Sequence, residues 1–171
     1  MLEKNNIEKL KEVFFLHPTT EFHVREVSRK TGISPPTVLL AIEILKKHDI
    51  VKIYKKGNMK MIKASGSTGF IRAKRINNIK SVYESGIIDY LSDLYDKPKA
   101  IILFGSFSRG DDIEKSDIDI AIITNNSKEP KLKEFERKLS RKISIHEIDI
   151  KKVSKEFYNN LMNGIIMEGA F

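Results

Sequence analysis

The feature that most constrains this chain is a short segment in which two apolar runs bracket a polar loop. Ala100-Ile101-Ile102-Leu103-Phe104 is continuously apolar and ends at Gly105-Ser106, and Ser116-Asp117 leads into Ile118-Asp119-Ile120-Ala121-Ile122-Ile123. Continuous apolar runs of this length suit strands buried in the middle of a sheet covered on its faces. In a strand Asp117 and Asp119 point to one side while Ile118 and Ile120 point to the other. One face therefore belongs to a core, and the other offers two carboxylates, beginning eleven residues after a glycine-serine turn. Two adjacent anions repel each other, and burying them unpaired is costly.

A divalent cation resolves that conflict. Mg²⁺, or Mn²⁺ in its place, takes carboxylate oxygens and keeps positions for water and phosphate. Glycine at 105 lets a backbone approach a phosphate closely, and Ser106 adds a hydroxyl. A helix starting there would add free N–H groups. Arg109 brings a guanidinium suited to a polyphosphate, with an ordinary alternative as partner of Asp111 or Asp112. These two acids and Glu114 are expected in a solvated loop. The expected site is thus Gly105, Ser106 and Arg109 for a nucleoside triphosphate, and Asp117 and Asp119 for metal and catalysis.

Around this centre the periodicity predicts a mixed α/β fold. An amphipathic helix carries Leu132, Phe135 and Leu139, a strand runs from Ile143 to Ile150, and a last helix runs from about Val153 to Met162. Within Ile143–Ile150 the apolar residues change parity between Ile145 and Ile148, which predicts a bulge or strand end near His146-Glu147.

The first half reads differently. Residues 1–80 hold 17 Lys/Arg against 7 Asp/Glu, a net +10, whereas residues 81–171 carry a net −2. Such a basic half attracts polyanions. Ile7, Leu10, Val13 and Phe14 predict a helix stopping before Pro18. A second helix is expected over about 23–30, with Gly32 as its left-handed terminus. Ser34 as N-cap and Pro35 at the first position start a third helix, with Val38, Ala41, Ile42 and Leu45 inward and an end near His48-Asp49. Val51–Tyr54 and Met59–Ile62 flank Lys55-Lys56-Gly57-Asn58, a hairpin signal. Ser65-Gly66-Ser67-Thr68-Gly69 is a joint, and helical spacing over 70–96 predicts bridging helices that also suit a dimer contact. The expected division is 1–65, 66–96 and 97–171.

Helix, tight turn, helix and basic hairpin over about residues 5–64 resemble a winged helix-turn-helix, mainly α with a β wing. That resemblance implies contact with duplex DNA through Thr37, Lys46 and Lys47 on the third helix and through Lys55, Lys56 and Lys60 on the wing. The start of the third helix lacks Arg, Gln and Asn, so strong direct base readout is not expected.

The segment Gly105-Ser106, Arg109-Gly110, Ser116-Asp117-Ile118-Asp119 resembles the signature of the polymerase-beta-type nucleotidyltransferase superfamily, in particular its small members. The resemblance extends over about residues 97–171, and the two-domain order is similar to that of archaeal proteins in which a winged helix precedes such a domain. It implies transfer of a nucleoside monophosphate from a nucleoside triphosphate to an acceptor, with two metal ions sharing the carboxylates. It also implies a third carboxylate on the following strand. Glu147 and Asp149 are the candidates there, Glu147 slightly preferred. The alternative places His146 or Ser144 at the matching position and leaves the metal site incomplete. Superfamily members that act as antitoxins on a partner toxin add a protein partner to the readings. The other is a DNA-binding regulator whose nucleotidyltransferase-like domain senses a ligand or holds a homodimer.

Zero cysteines leave no disulfide and no thiolate metal site. No apolar run reaches the roughly eighteen residues of a membrane span, and Met1–Asn6 lacks a secretory pattern. A cytoplasmic protein without a membrane partner is the expectation.

Overall fold

A computed structural model describes residues 4–150 and 152–170. The chain divides into two compact units, with the boundary between Lys74 and Arg75.

In the first unit, α1 (Lys4–Leu16), β1 (Phe22–His23), α2 (Val24–Thr31), α3 (Pro35–Lys47), β2 (Val51–Lys56) and β3 (Met59–Ala64) follow in order. Leu10, Phe14, Val27, Val38, Ala41, Ile42 and Leu45 are buried together, as helical spacing requires. His23 acts as the N-cap of α2. Its Nδ1 accepts from the Arg25 amide at 3.3 Å, and its own amide donates to Glu26 Oε2 at 2.6 Å. Gly32 ends α2 in the left-handed region, φ 70°, and donates its amide to the Ser28 carbonyl. Ser34 takes the N-cap position of α3, yet its hydroxyl bonds to Thr37 Oγ1 at 2.8 Å rather than to a backbone amide.

The strands form a three-stranded antiparallel sheet, β1-β3-β2. β1 is two residues long, too short for alternation to reveal it, and pairs Phe22 with Ile62. Three helices and this small sheet are consistent with the winged arrangement expected from the sequence.

The boundary falls within α4 (Thr68–Ser85), which is followed by α5 (Ile87–Leu94), β4 (Ala100–Phe104), α6 (Gly105–Arg109), β5 (Ile118–Ile123), α7 (Lys133–Leu139), β6 (Ile143–Ile148), α8 (Lys155–Met162) and β7 (Ile165–Gly169). The sheet order is β6-β5-β4-β7. β5 and β6 are parallel and the other pairs antiparallel, so the second unit is α/β with a mixed sheet.

Both faces of this sheet are covered. Ile101, Leu103, Ile118, Ile120, Ile122 and Ile143 pack on one side with Ile87, Leu91, Phe107 and Leu139. Ala100, Ile102, Phe104, Ala121, Ile123 and Ile148 pack on the other with Leu161. This double coverage explains the parity change in β6. Of the bulge or strand end expected near His146-Glu147 it is the strand end that occurs: β6 stops at Ile148, and the register runs evenly from Ile118↔Ile143 to Ile123↔Ile148 with no bulge. Ile143 and Ile145 serve one core and Ile148 the other. The irregularity lies instead between β4 and β7, at Ile101/Ile102.

Candidate active site

The site grows from the end of β4. Gly105 opens α6 with φ +72°, and a Cβ placed there would come 2.5 Å from Asp119 Oδ2. The dihedral favours glycine, and any side chain there would have to displace the Asp119 carboxylate. The cause is register: Phe104 pairs with Asp119 across β4 and β5, so the chain turns into α6 directly beside that carboxylate. Ser108, almost fully buried, donates its hydroxyl to the Gly105 carbonyl at 2.8 Å and fastens the turn. Ser106 is partly exposed at the start of the helix.

Asp117 precedes β5 and is exposed, while Asp119 is half-buried. Ser144, register partner of Asp119, donates to Asp117 Oδ2 at 3.5 Å. His146, opposite Ala121, lies on the same face, with Nε2 3.3 Å from Asp119 Oδ1. Its ring packs against Phe104 at 5.1 Å and Phe157 at 6.1 Å between centroids.

Glu147 is placed elsewhere, which corrects the preference for it as the third acid. It pairs with Ile122 and so lies on the opposite face of the sheet from Asp119. It accepts from Tyr95 Oη at 2.7 Å, Ser127 Oγ at 2.6 Å and the Lys128 amide at 2.7 Å. Partial burial by itself raises its carboxyl, but the bonds from Ser127, Lys128 and Tyr95 outweigh it and hold the group below the ordinary 4.5. Burial first, and then the bond to Glu147, push the Tyr95 hydroxyl well up. Asp149 falls beyond the end of β6 and pairs with Lys152 at 3.3 Å. Neither acid stands beside Asp117 and Asp119. Both line a cleft of about 410 Å³ with Thr124, Asn126 and Ser127, at the opposite end of β5.

Arg109 takes the ordinary alternative: its Nε donates to Asp111 Oδ2 at 3.1 Å, both side chains about half exposed. Asp112 corrects the expectation of a wholly solvated loop. It is 2% exposed and accepts from Asn78 Nδ2 at 2.8 Å, with Arg141 Nη2 at 3.9 Å. Asn78 also donates to the Phe107 carbonyl at 2.9 Å. These residues tie α6 and the following loop to α4. Their sequence separation leaves no local pattern to read, and their types alone look like surface residues.

The donors beside the turn are therefore two carboxylates, a hydroxyl and an imidazole. Among the described residues no three His, Asp or Glu side chains gather closely enough to form a closed metal site. Asp117 and Asp119 are open to solvent on one face, which fits a divalent ion that also takes phosphate and water oxygens. The set does not fit the three-carboxylate arrangement that the resemblance implied.

The model of the family described as polymerase beta, nucleotidyltransferase, matches residues 86–171, half of the chain. The chain belongs to this family. No curated protein matches the chain. Membership supports chemistry of the nucleotidyl-transfer type in general, and the mixed sheet of the second unit is the fold of that family. Among the described residues no helix is long and apolar enough to cross a membrane.

The residues read as DNA contacts all belong to the first unit. Lys46, Lys47, Lys55, Lys56 and Lys60 are exposed, and Thr37 is partly so. Lys56 pairs with Glu21 at 3.4 Å and Lys60 with Glu43 at 3.2 Å. Leu39 and Leu40 of α3 are exposed at 38% and 61%.

Proposed function

We propose that the protein transfers a nucleoside monophosphate from a nucleoside triphosphate to an acceptor hydroxyl. The observation that supports this reading is the glycine turn at 105 pressed against the Asp119 carboxylate, which sets a backbone turn at the start of α6 beside a potential metal ligand. The triphosphate would lie over Gly105 and Ser106, with Asp117 and Asp119 holding Mg²⁺ or Mn²⁺ near its α-phosphate. Bound metal supplies charge neutralisation for the phosphates and orients them. The acceptor oxygen forms a bond to the α-phosphorus, the bond to the bridging oxygen breaks, pyrophosphate leaves, and the acceptor's proton passes to solvent. Arg109 is free to turn from Asp111 to the phosphates, since that surface pair holds it only weakly. The protein's contribution is positioning and fixed charge.

The basic first unit would bring this activity to duplex DNA through Lys46, Lys47, Lys55, Lys56, Lys60 and Thr37. Two observations favour a second reading. The face beside Asp119 offers His146 and Ser144 where a third acid is expected, and α3 exposes leucines. A DNA-binding regulator whose second unit binds nucleotide without turnover, holds a homodimer, or modifies or restrains a partner protein accounts for both.

The test is incubation of the full chain with α-phosphate-labelled nucleoside triphosphates, Mg²⁺ or Mn²⁺, and protein, nucleic-acid and small-molecule acceptors. Label in an acceptor, lost in Asp117→Ala and Asp119→Ala, supports transfer. Bound nucleotide with no label in any acceptor supports the regulator.

A further inference from the structure

We infer that a cleft along β2 in the first unit binds the phosphate monoester of a nucleotide, free or at the end of a nucleic-acid strand. The inference goes beyond the duplex contact proposed above. It stands on Lys52 and Lys63, which that contact does not use, and it needs neither Asp117 nor Asp119.

The cleft has a volume of about 490 Å³ and is lined by Lys46, Asp49, Lys52, Ile53, Tyr54 and Lys63. Strand register builds its cationic wall. Lys52 and Lys63 are directly opposed across β2 and β3, and side chains so placed start about 4.5–5.5 Å apart. Like charges in that position weaken a hairpin. Neither lysine forms an ion pair among the described residues, whereas Lys56 and Lys60 reach Glu21 and Glu43. Lys63 Nζ lies over the Tyr54 ring, 5.1 Å from its centroid, which holds the ammonium group at the cleft. Lys46 is brought in by the turn that ends α3. Asp49 adopts φ 56° there, the Ile50 amide donates to the Leu45 carbonyl at 2.9 Å, and Ser67 Oγ donates to the Asp49 carbonyl at 3.0 Å.

Protection of a sheet edge accounts for a lysine on β2, the edge strand. It does not account for one on β3, the central strand of the order β1-β3-β2. A carboxylate at either position would end the repulsion and leave the edge charged, so the opposed pair is explained by an anion that both ammonium groups hold. Three ammonium groups against the Asp49 carboxylate leave the cleft at +2. A phosphate monoester carries about −1.5 to −2 near neutral pH and matches that charge. A singly charged carboxylate or phosphodiester matches it less well. The partly exposed Ile53 and Tyr54 add apolar surface beside the cations, which suits a nucleoside attached to the phosphate.

The experiment is calorimetric titration of the full chain, in the presence of a chelator, with adenosine 5′-monophosphate and with a thymidine decanucleotide bearing a 5′-phosphate or a 5′-hydroxyl. Binding of a phosphate monoester is expected, and Asp119→Ala is expected to keep it. Lys52→Glu and Lys63→Gln are expected to bind at least about tenfold more weakly, the scale of a lost hydrogen bond to a charged group. Lys52→Glu is also expected to unfold at no lower urea concentration than the wild type, because it sets opposite charges across the hairpin. A binding loss in that variant is then not a loss of fold. Tighter binding of the monophosphate than of either strand assigns the cleft to a free nucleotide. Tighter binding of the 5′-phosphorylated strand than of its 5′-hydroxyl form assigns it to a strand end. Unchanged affinity in both lysine variants overturns the inference, as does failure of both phosphate monoesters to bind. Equal binding of the 5′-hydroxyl strand or of a glutamate decapeptide makes the cleft a general anion surface and overturns it too. Binding lost in Asp119→Ala but kept in both lysine variants returns the nucleotide to the second unit.

Discussion

Replacing Gly105 with alanine perturbs the site at the point where backbone and carboxylate meet. At φ +72° an alanine carries the left-handed penalty of about 1–2 kcal/mol. The new methyl group also lands 2.5 Å from Asp119 Oδ2, closer than atoms tolerate, so the carboxylate must swing aside. Forcing a side chain off its rotamer costs about 0.5–1.5 kcal/mol more. The expected loss is therefore about 1.5–3.5 kcal/mol in the second unit. Gly86→Ala provides the comparison, because Gly86 has φ +80° but nothing within 4 Å of its would-be Cβ. That variant pays only the backbone penalty, about 1–2 kcal/mol. Urea unfolding of both variants measures the difference, and calorimetric titration with Mn²⁺ and a non-hydrolysable triphosphate carrying a methylene bridge between its α- and β-phosphorus atoms (the methylene triphosphate) reads the site. Gly105→Ala should lose nucleotide affinity by at least about tenfold, worth about 1.4 kcal/mol, while Gly86→Ala keeps it. Equal stability of the two variants together with unchanged nucleotide binding by Gly105→Ala would refute the reasoning.

Asp112→Ala leaves the Arg141 guanidinium, whose side chain is only 7% exposed, without its buried carboxylate. A destabilisation of about 3–5 kcal/mol in denaturant unfolding is expected. Glu147 has a folded pKa below its ordinary 4.5, so its contribution to stability is full above that value and disappears as pH falls through the folded pKa. Unfolding of wild type and Glu147→Gln between pH 3 and 7, on the order of that pKa range, should show the difference shrinking at the acid end. The same variant should bind metal and triphosphate like the wild type, since Glu147 lies on the other face. Lys55→Glu should weaken duplex binding about equally across sequences and reduce the salt slope by about 1 for each phosphate no longer neutralised, measured by anisotropy at several salt concentrations.

The corner at Gly105 and Asp119 is legible in the sequence because its residues are local and each is constrained for its own reason. A left-handed turn needs glycine, and a strand with alternate acids needs an open face. The core helices are legible for a similar reason, Val38, Ala41, Ile42 and Leu45 of α3 repeating at one face of one element. The third acid is not legible. Parity in Ile143–Ile150 admits a bulge, a strand end, or a sheet covered on both faces, and only the partner register of β5, which runs evenly to the strand's end at Ile148, separates them. Once it does, Glu147 turns to Tyr95 and His146 turns to Asp119. Asp112 looks like a surface residue in sequence because its partners, Asn78 and Arg141, lie about thirty residues away on either side, where charge alone predicts exposure. β1 and β7 escape for want of length and alternation: two residues in one case, and in the other a strand whose register against β4 is broken.

A structure of the full chain with Mn²⁺ and the methylene triphosphate tests the central claim most directly. The anomalous signal of manganese should lie between Asp117 and Asp119, with the α-phosphate beside it and the remaining phosphates over Gly105 and Ser106. Nucleotide bound instead in the cleft of Thr124, Ser127, Glu147 and Asp149, with no manganese at the two aspartates, would contradict it.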